Sequence, residues 1–264
     1  MADPRRHFSY APDNIPWIDR HDHHPNIGFV HIVELPNMLW HREVKSGHMA
    51  SAVGGKKTGR PRSLHEHDII AAALAEGLTE ATMPSIARRL GVSHSALYRY
   101  YADRDALLLE CVGTAVDSMQ WPSDDEPWRD ILRSVGNVMW EMLGRYTGLA
   151  ETMLTLSGTP PQIVSRASAL TEALTKQGFS TRDAMLAIDF IGDLTLTTFV
   201  NMARLDAPLD DGGTTRDRVR QEWEQPGVLA EALQDDSTWF GRGWLDDKVE
   251  ILLDGLAHRV QAAS

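Results

Sequence analysis

The sequence predicts an all-α protein that consists of two helical domains. From residue 63 onward, apolar residues recur at spacings of three and four, as on one face of an α-helix. Ser, Thr or Asp precedes several of these segments, and Gly follows them, which is typical of helix starts and ends. The chain has 264 residues, 42% of them hydrophobic. This is enough for a real core and for about two domains of roughly 100–200 residues.

The first 50 residues differ from the rest of the chain. They contain five prolines, which interrupt every candidate helix, and seven of the eleven histidines. His21, His23 and His24 are candidate metal ligands, but no carboxylate or cysteine framework fixes a geometry for them. We therefore expect residues 1–50 to be a disordered extension without a metal site. Met49 stands just before the regular pattern, so the residues ahead of it are candidates for an upstream extension.

Residues 51–108 are predicted to form short helices that follow a basic arm, and the first of these helices begins after Ser63. Each has a candidate N-cap whose side-chain oxygen can accept a hydrogen bond from the first turn. These caps are Ser63, Thr82, Ser93 and Asp103. Glycines end the first two helices, at Gly77 and Gly91. The second helix is predicted over residues 83–90.

The rest of the chain is predicted to be helical as well. We place helices near residues 103–119, 127–146, 149–157, 160–177, 180–205, 228–234 and 245–262. Segment 184–202, within the helix at 180–205, is apolar on nearly all faces, which predicts burial on every side. The last helix has a single apolar stripe. Residues 206–226 contain prolines, glycines and acidic residues and are predicted to form a long loop.

Charge is unevenly distributed along the chain. The total formal charge is −11, but residues 51–104 carry eight Lys and Arg against five Asp and Glu. Residues 105–264 carry thirteen against twenty-six. Because phosphate is attracted only by local positive charge, any DNA contact should lie within residues 51–104.

A helix-turn-helix pattern lies inside this basic segment. The turn has Gly91, apolar anchors surround it, and the second helix begins with polar residues, as major-groove insertion requires. The candidate DNA-binding residues fall into three groups. Ser93, His94 and Ser95 face the base edges, Tyr98, Tyr100 and Arg104 suit phosphate oxygens, and Arg60 and Arg62 form an arm for the minor groove. A surface role for His94 without base contact is an open alternative, and Tyr101 is predicted to be core.

The run from Gly59 to Leu108 resembles the DNA-binding domain of the TetR family of repressors. The resemblance rests on the sequences IARRLGVS (86–93), ALYRYY (96–101) and DRDALL (103–108). Later segments at 126–132, 177–180 and 239–256 are similar in helix order to the ligand-binding, dimerising domain of tetracycline repressors.

The resemblance implies a division of the chain and further contacts. Residues 51–108 would be the DNA-binding domain, with its helix-turn-helix at 82–101, and residues 109–264 the effector-binding and dimerisation domain. Thr82 and Tyr98 match phosphate contacts, and Ala96 occupies a slot often filled by Thr, where it would lose that contact or touch a thymine methyl. Tyr100 and Arg104 stand where His and Lys are frequent. Pro84 replaces a base-reading arginine of tetracycline repressors, so their operator sequence is not implied.

The resemblance also implies a drug-sized pocket and a homodimer. Candidate pocket residues are Trp140, Met142, Met153, Leu156, Met185, Phe190, Phe199 and Met202. Residues of these types at helical spacing also occur in plain cores. The helices near 180–205 and 245–262 suit a four-helix dimer interface, although a monomeric bundle would show the same pattern.

The implied function is a homodimeric repressor that a small hydrophobic ligand releases from a palindromic DNA operator. An enzyme with a fused helix-turn-helix is one alternative, and an activator or architectural protein with the same fold is another. No histidine lies between His94 and His258, and no phosphate loop, HExxH or GxSxG motif occurs. Cys111 is the single cysteine, which excludes an internal disulfide and cysteine-based metal clusters. We expect no catalytic site, cofactor or metal, no membrane segment, and a cytoplasmic location.

Overall fold

The computed structural model describes residues 64–210, 212–223 and 227–263, without the side chains of 261–263. These residues form helices and no named strand, so the all-α prediction is confirmed. The helices are α1 (Glu66–Glu76), α2 (Met83–Leu90), α3 (His94–Leu97), α4 (Arg104–Asp117), α5 (Trp128–Arg145), α6 (Leu149–Thr155), α7 (Pro161–Lys176), α8 (Thr181–Leu205), α9 (Thr215–Trp223), α10 (Val228–Ala232) and α11 (Leu245–Ala263). The predicted extension at 1–50 and the arm with Arg60 and Arg62 lie outside the described residues.

Side-chain caps set the starts of several helices. The Asp103 carboxylate accepts a hydrogen bond from the Ala106 N–H at 2.8 Å, and the Ser180 hydroxyl accepts one from the Asp183 N–H at 3.0 Å. The start of α1 differs from the prediction. Its N-cap is His65, whose N–H donates to the Asp68 carboxylate at 3.2 Å, and not Ser63, which lies outside the described residues.

The N-terminal helices share one apolar core. α1 packs on α2 and α4, and α2 packs on α3. The side chains at its centre are fully buried: Ile69, Leu78, Ile86, Leu97 and Leu107. Tyr101 is 6% exposed, as predicted for a core residue. The same core continues along α4 to Val116, so the expected domain boundary after residue 108 falls inside a single helix.

α8 is the central helix of the C-terminal bundle. It packs against α5, α7 and α11 around Ile131, Leu174 and Ile191. Among the described residues it is the one helix long and apolar enough to cross a membrane, and its packing between neighbours accounts for that composition. The prediction that it is buried on every side is wrong, because Leu186 and Phe190 are exposed.

The predicted loop at 206–226 contains a helix, α9. One charged side chain holds it in place. Arg216 is 5% exposed, donates to the carbonyl oxygen of Trp239 and forms an ion pair of 2.5 Å with Asp206. Its guanidinium also lies 4.6 Å from the ring centroid of Phe240. Because α9 is almost entirely polar, it has no apolar stripe from which it could be predicted.

The N-terminal helices meet the bundle at a close backbone contact. The Leu78 N–H donates to the carbonyl oxygen of Thr147 at 2.8 Å. Gly148 follows in the left-handed region, with φ of 79°, and a Cβ there would lie 2.7 Å from the backbone nitrogen of Thr79. This position therefore requires glycine for both its conformation and its space.

Candidate nucleic-acid interface and ligand cavity

The α2–α3 pair forms a helix-turn-helix. Gly91 has φ of 68° and ends α2, and the Val92 N–H donates to the carbonyl oxygen of Ala87 at 3.0 Å. Ile86 and Leu97, one on each helix, are fully buried and hold the two helices together. The polar start of α3 is thereby directed away from the core.

Four polar side chains lie exposed on α3 and at its two ends. Ser93, His94 and Ser95 are exposed, and the two serine hydroxyl oxygens are 3.1 Å apart. Tyr98 is 47% exposed, and its ring packs edge-on against His94 with centroids 4.9 Å apart. Ala96 is half-buried beside them. These groups can donate and accept hydrogen bonds at base edges and phosphates.

Two predicted phosphate contacts instead make internal hydrogen bonds. The Tyr100 hydroxyl donates to the carbonyl oxygen of Leu64 at 2.6 Å. The Arg104 guanidinium donates to the carbonyl oxygens of Ala81 and Leu78, both at 2.7 Å. It also donates to the carbonyl oxygen of Thr79, at 3.3 Å. The prediction for Arg104 is therefore corrected, because its donors hold the turn between α1 and α2. Tyr100 likewise anchors the segment before α1.

Other polar groups of this domain stay available. Thr82 is exposed, and its hydroxyl caps α2 by accepting from the Ser85 N–H at 3.2 Å. Arg88, Arg89 and Arg99 are exposed as well and supply positive charge near the turn. These arginines were not predicted as contacts, although their position within the helix-turn-helix could have indicated them.

A cavity of about 430 Å³ lies among α4, α5, α6, α7 and α8. Most of its wall is apolar, which suits a drug-sized organic ligand. The apolar lining includes Val112, Val116, Trp121, Val135, Met139, Met142, Met153, Leu154, Leu156, Ile163, Leu170, Ile188 and Leu196. The polar side chains are Thr155, Ser157, Thr159, Arg166 and Asp193.

The predicted pocket residues are only partly brought together. Three line the cavity: Met142, Met153 and Leu156. Five lie elsewhere: Trp140, Met185, Phe190, Phe199 and Met202. Phe190 is 49% exposed, and Trp140 packs on Phe199 with ring centroids 5.0 Å apart. The prediction failed at these five because helical spacing shows which residues are apolar, but not which partner each face meets.

Arg166 and Trp121 form one edge of the cavity. The Arg166 Cζ lies 5.5 Å from the Trp121 ring centroid, and the Trp121 indole N–H donates to the carbonyl oxygen of Val116 at 2.9 Å. Among the described residues, the buried Arg166 Nε has no hydrogen-bond partner. The sequence prediction missed this arginine, although it shares a face of α7 with Ile163 and Leu170, where an apolar residue would be expected.

Cys111, which precedes the cavity residue Val112 on α4, has a suppressed acidity. Burial, and then the nearby Glu110 carboxylate, raise the pKa of its thiol to about 12. The thiol is therefore neutral at pH 7 and a poor nucleophile. Within the part of the chain that the structure describes, no three His, Cys, Asp or Glu side chains are grouped so that they could hold a metal ion.

Comparisons with known proteins agree with this architecture. The sequence model described as "Bacterial regulatory proteins, tetR family" matches residues 69–111. The class D tetracycline repressor protein of Escherichia coli is 28% identical over 181 residues, which span 65% of this chain and 79% of that protein. Class C from Escherichia coli is 28% identical over 140 residues, which span 52% of this chain and 64% of that protein.

Solved structures show the same fold. Apo ActR of Streptomyces coelicolor superposes with a TM-score of 0.64 at 18% identity, covering 78% of this chain and 100% of that chain. A single-substitution variant of TetR from Acinetobacter baumannii, bound to minocycline, superposes with a TM-score of 0.55 at 18% identity and covers 75% of this chain and 99% of that chain. At these identities the likeness supports the helical architecture and not a particular ligand.

Proposed function

Because the chain belongs to the TetR family of DNA-binding transcriptional regulators, we propose that it is a homodimeric repressor whose operator binding is relieved by a small apolar ligand. One observation carries this proposal. α4 begins with Arg104, whose guanidinium binds the turn between α1 and α2. Val112 and Val116 of the same helix form part of the cavity wall. Cavity and DNA-binding helices therefore share a rigid element.

α3 is the element that would enter the major groove. Its exposed Ser93, His94 and Ser95 would read base edges, while Thr82 and Tyr98 would bind phosphates, with Ala96 against a thymine methyl. Arg60 and Arg62, outside the described residues, are proposed for the minor groove. Two copies of α3 about 34–36 Å apart would contact successive turns of a palindrome.

Exposed apolar residues on α8 and α11 support the proposed dimer. Leu186 and Phe190 lie one helical turn apart on α8 and are 44% and 49% exposed. Ile251 of α11, a helix that packs on α8, is 73% exposed. Large apolar side chains that stay exposed on both of these helices favour an isologous interface, in which the two helices meet their copies.

Ligand binding would act through the position of α4. The dimer would have two conformations, one in which the two α3 helices are spaced to fit DNA and one in which they are not. A ligand that fills the cavity only in the second conformation binds it more tightly than the DNA-bound conformation. This difference in affinity is what can release the operator. Its size is the coupling free energy, and DNA must weaken ligand binding by the same factor.

The proposal is tested by release of a selected operator. Fragments bound by the protein are selected from the source genome, and a library of hydrophobic compounds is titrated against the complex. We expect at least one compound to release the DNA, and DNA to lower its affinity by an equal factor. The same compound is then incubated with the protein and analysed for turnover. Because the curated relatives are regulators, we expect no turnover. Failure to select any DNA, or conversion of the compound by the protein, would contradict the proposal.

A repressor of this kind must reach chromosomal DNA in order to bind its operator. We accordingly propose a cytoplasmic location, supported by the packing of the apolar helix α8 inside the bundle. Fractionation of cells, with the protein detected by an antibody, would show it in the soluble fraction.

A further inference from the structure

We propose that the ligand is an apolar molecule carrying one anionic oxygen group, such as a carboxylate, and that Arg166 binds this group. The inference rests on the proposed function, because it takes the cavity as the effector site. It adds the chemical class of the effector, which neither the fold nor the sequence of the helix-turn-helix provides.

The first observation is a buried donor without a partner. In the part of the chain that the structure describes, the Nε of Arg166 has no hydrogen-bond acceptor, although this atom is fully buried. A buried donor left unsatisfied costs free energy, and such groups are rare in folded proteins. Arg166 lines the cavity, so a ligand oxygen bound beside its guanidinium can supply the acceptor that the protein does not, once the side chain turns its Nε toward that oxygen.

The second observation is that the guanidinium is held in place before any ligand binds. It lies over the indole of Trp121, with 5.5 Å from its Cζ to the ring centroid, and that indole is itself held by a hydrogen bond to Val116. Stacking on an aromatic ring orients the planar group and leaves its edge free for hydrogen bonds. A preorganised guanidinium of this kind matches the two oxygens of a carboxylate.

The remaining wall limits the rest of the ligand. Asp193, the other charged residue among the described residues of the lining, is exposed, so water screens its repulsion of an anion. Elsewhere the wall is mainly methionine, leucine, isoleucine and valine. Because the partly buried guanidinium is positively charged, an anionic oxygen pairs with it better than a neutral acceptor does. A cavity of about 430 Å³ lies in the range of drug-sized sites.

Two fluorescent probes that differ in one group provide the test. 1-Anilinonaphthalene-8-sulfonate is an apolar aromatic anion, and N-phenyl-1-naphthylamine is the same ring system without the sulfonate. The affinity of each probe is measured on the full chain by fluorescence titration, without DNA. We expect saturable binding of both, with the anion bound more tightly.

Variants then assign the difference to Arg166. In Arg166→Met the affinity for the anion should fall about tenfold or more, since a charge-assisted hydrogen bond is lost, while the affinity for the neutral probe should not fall. Arg166→Lys should recover part of the anion affinity. Arg129→Met is the matched control, because Arg129 also lies over a tryptophan, with 4.9 Å from its Cζ to the Trp128 centroid, but outside the cavity.

The outcomes separate clearly. Anion binding by Arg166→Met that equals the wild type, or an equal loss of both probes, would overturn the proposal, and so would the absence of saturable anion binding to the wild type. Because no DNA is present, these results leave the DNA-binding function untouched. Failure of operator selection would instead contradict the proposed function alone.

Discussion

Replacing Arg104 by methionine should lower the free energy of unfolding without changing the number of ion pairs that the protein makes with DNA phosphates. Its Nε and one Nη donate to the carbonyl oxygens of Ala81 and Leu78, each at 2.7 Å, and the aliphatic stem is kept by methionine. Hydrogen bonds to charged groups contribute about 1.5–3 kcal/mol each. Because Arg104 is half-buried, water can partly replace the lost donors, and the lower end applies. For the two bonds together we therefore expect a loss of about 3 kcal/mol.

Thermal unfolding followed by circular dichroism measures the first half of this prediction. For a chain of this size about 3 kcal/mol corresponds to a decrease in Tm of roughly 6–12 °C. The second half is measured by anisotropy titrations of a labelled duplex at several salt concentrations, where the slope should equal that of the wild type. Arg99→Met, a change at an exposed arginine, is the control for Tm. An unchanged Tm for Arg104→Met, with a salt slope reduced by about one ion per subunit, would refute the reasoning.

Further predictions concern the junction, alkaline pH and metal-dependent drugs. Gly148→Ala should lower the free energy of unfolding in urea by about 2 kcal/mol or more, because φ is +79° and the new Cβ would lie 2.7 Å from a backbone nitrogen. The control Gly144→Ala, whose new Cβ has its nearest contact at 3.9 Å, should be neutral or stabilising. Burial above all raises the pKa values of Cys111 and Tyr101 to about 12, from ordinary values of 9.0 and 10.0. The folded state therefore holds these protons more tightly, so their contribution to the free energy of unfolding is fully present below about pH 9 and falls as the pH rises toward about 12. Tyr101→Phe should reduce that loss between about pH 10 and 12; an unchanged pH profile would argue against the assignment. Tetracycline with magnesium should not release the operator, since the described residues that line the cavity include no histidine; release by micromolar drug that EDTA abolishes would contradict this.

The N-terminal helices could be predicted because their determinants are local. Thr82, Gly91 and Asp103 begin or end helices through contacts within a few residues, and the sequence shows these positions directly. The roles of Tyr100 and Arg104 could not be predicted in this way. Each donates to a carbonyl oxygen more than 20 residues away, and a polar side chain next to a helix-turn-helix looks the same whether it contacts phosphate or backbone.

The cavity and α9 were harder to predict for a related reason. Phe199 and Met142 both have helical spacing, but only Met142 lines the cavity, because the assignment depends on how five helices are arranged. α9 is held by the ion pair and ring contact of Arg216, which connect segments 10 to 24 residues apart in a polar stretch. Arg166 is an exception on the otherwise apolar face of α7, and the sequence shows this exception although the prediction did not use it.

Selection of DNA from a random duplex pool, by the wild type and by His94→Ala, tests the central claim most directly. The account predicts a palindromic consensus whose half-sites lie about one helical turn apart, because α3 of each subunit enters the major groove. His94→Ala should change the preferred base at one position, symmetrically in both half-sites, by on the order of 1–3 kcal/mol. Tyr98→Phe should weaken binding to all sequences alike. A consensus without symmetry, or one that His94→Ala and Ser95→Ala both leave unchanged, would contradict the placement of α3 at the DNA bases.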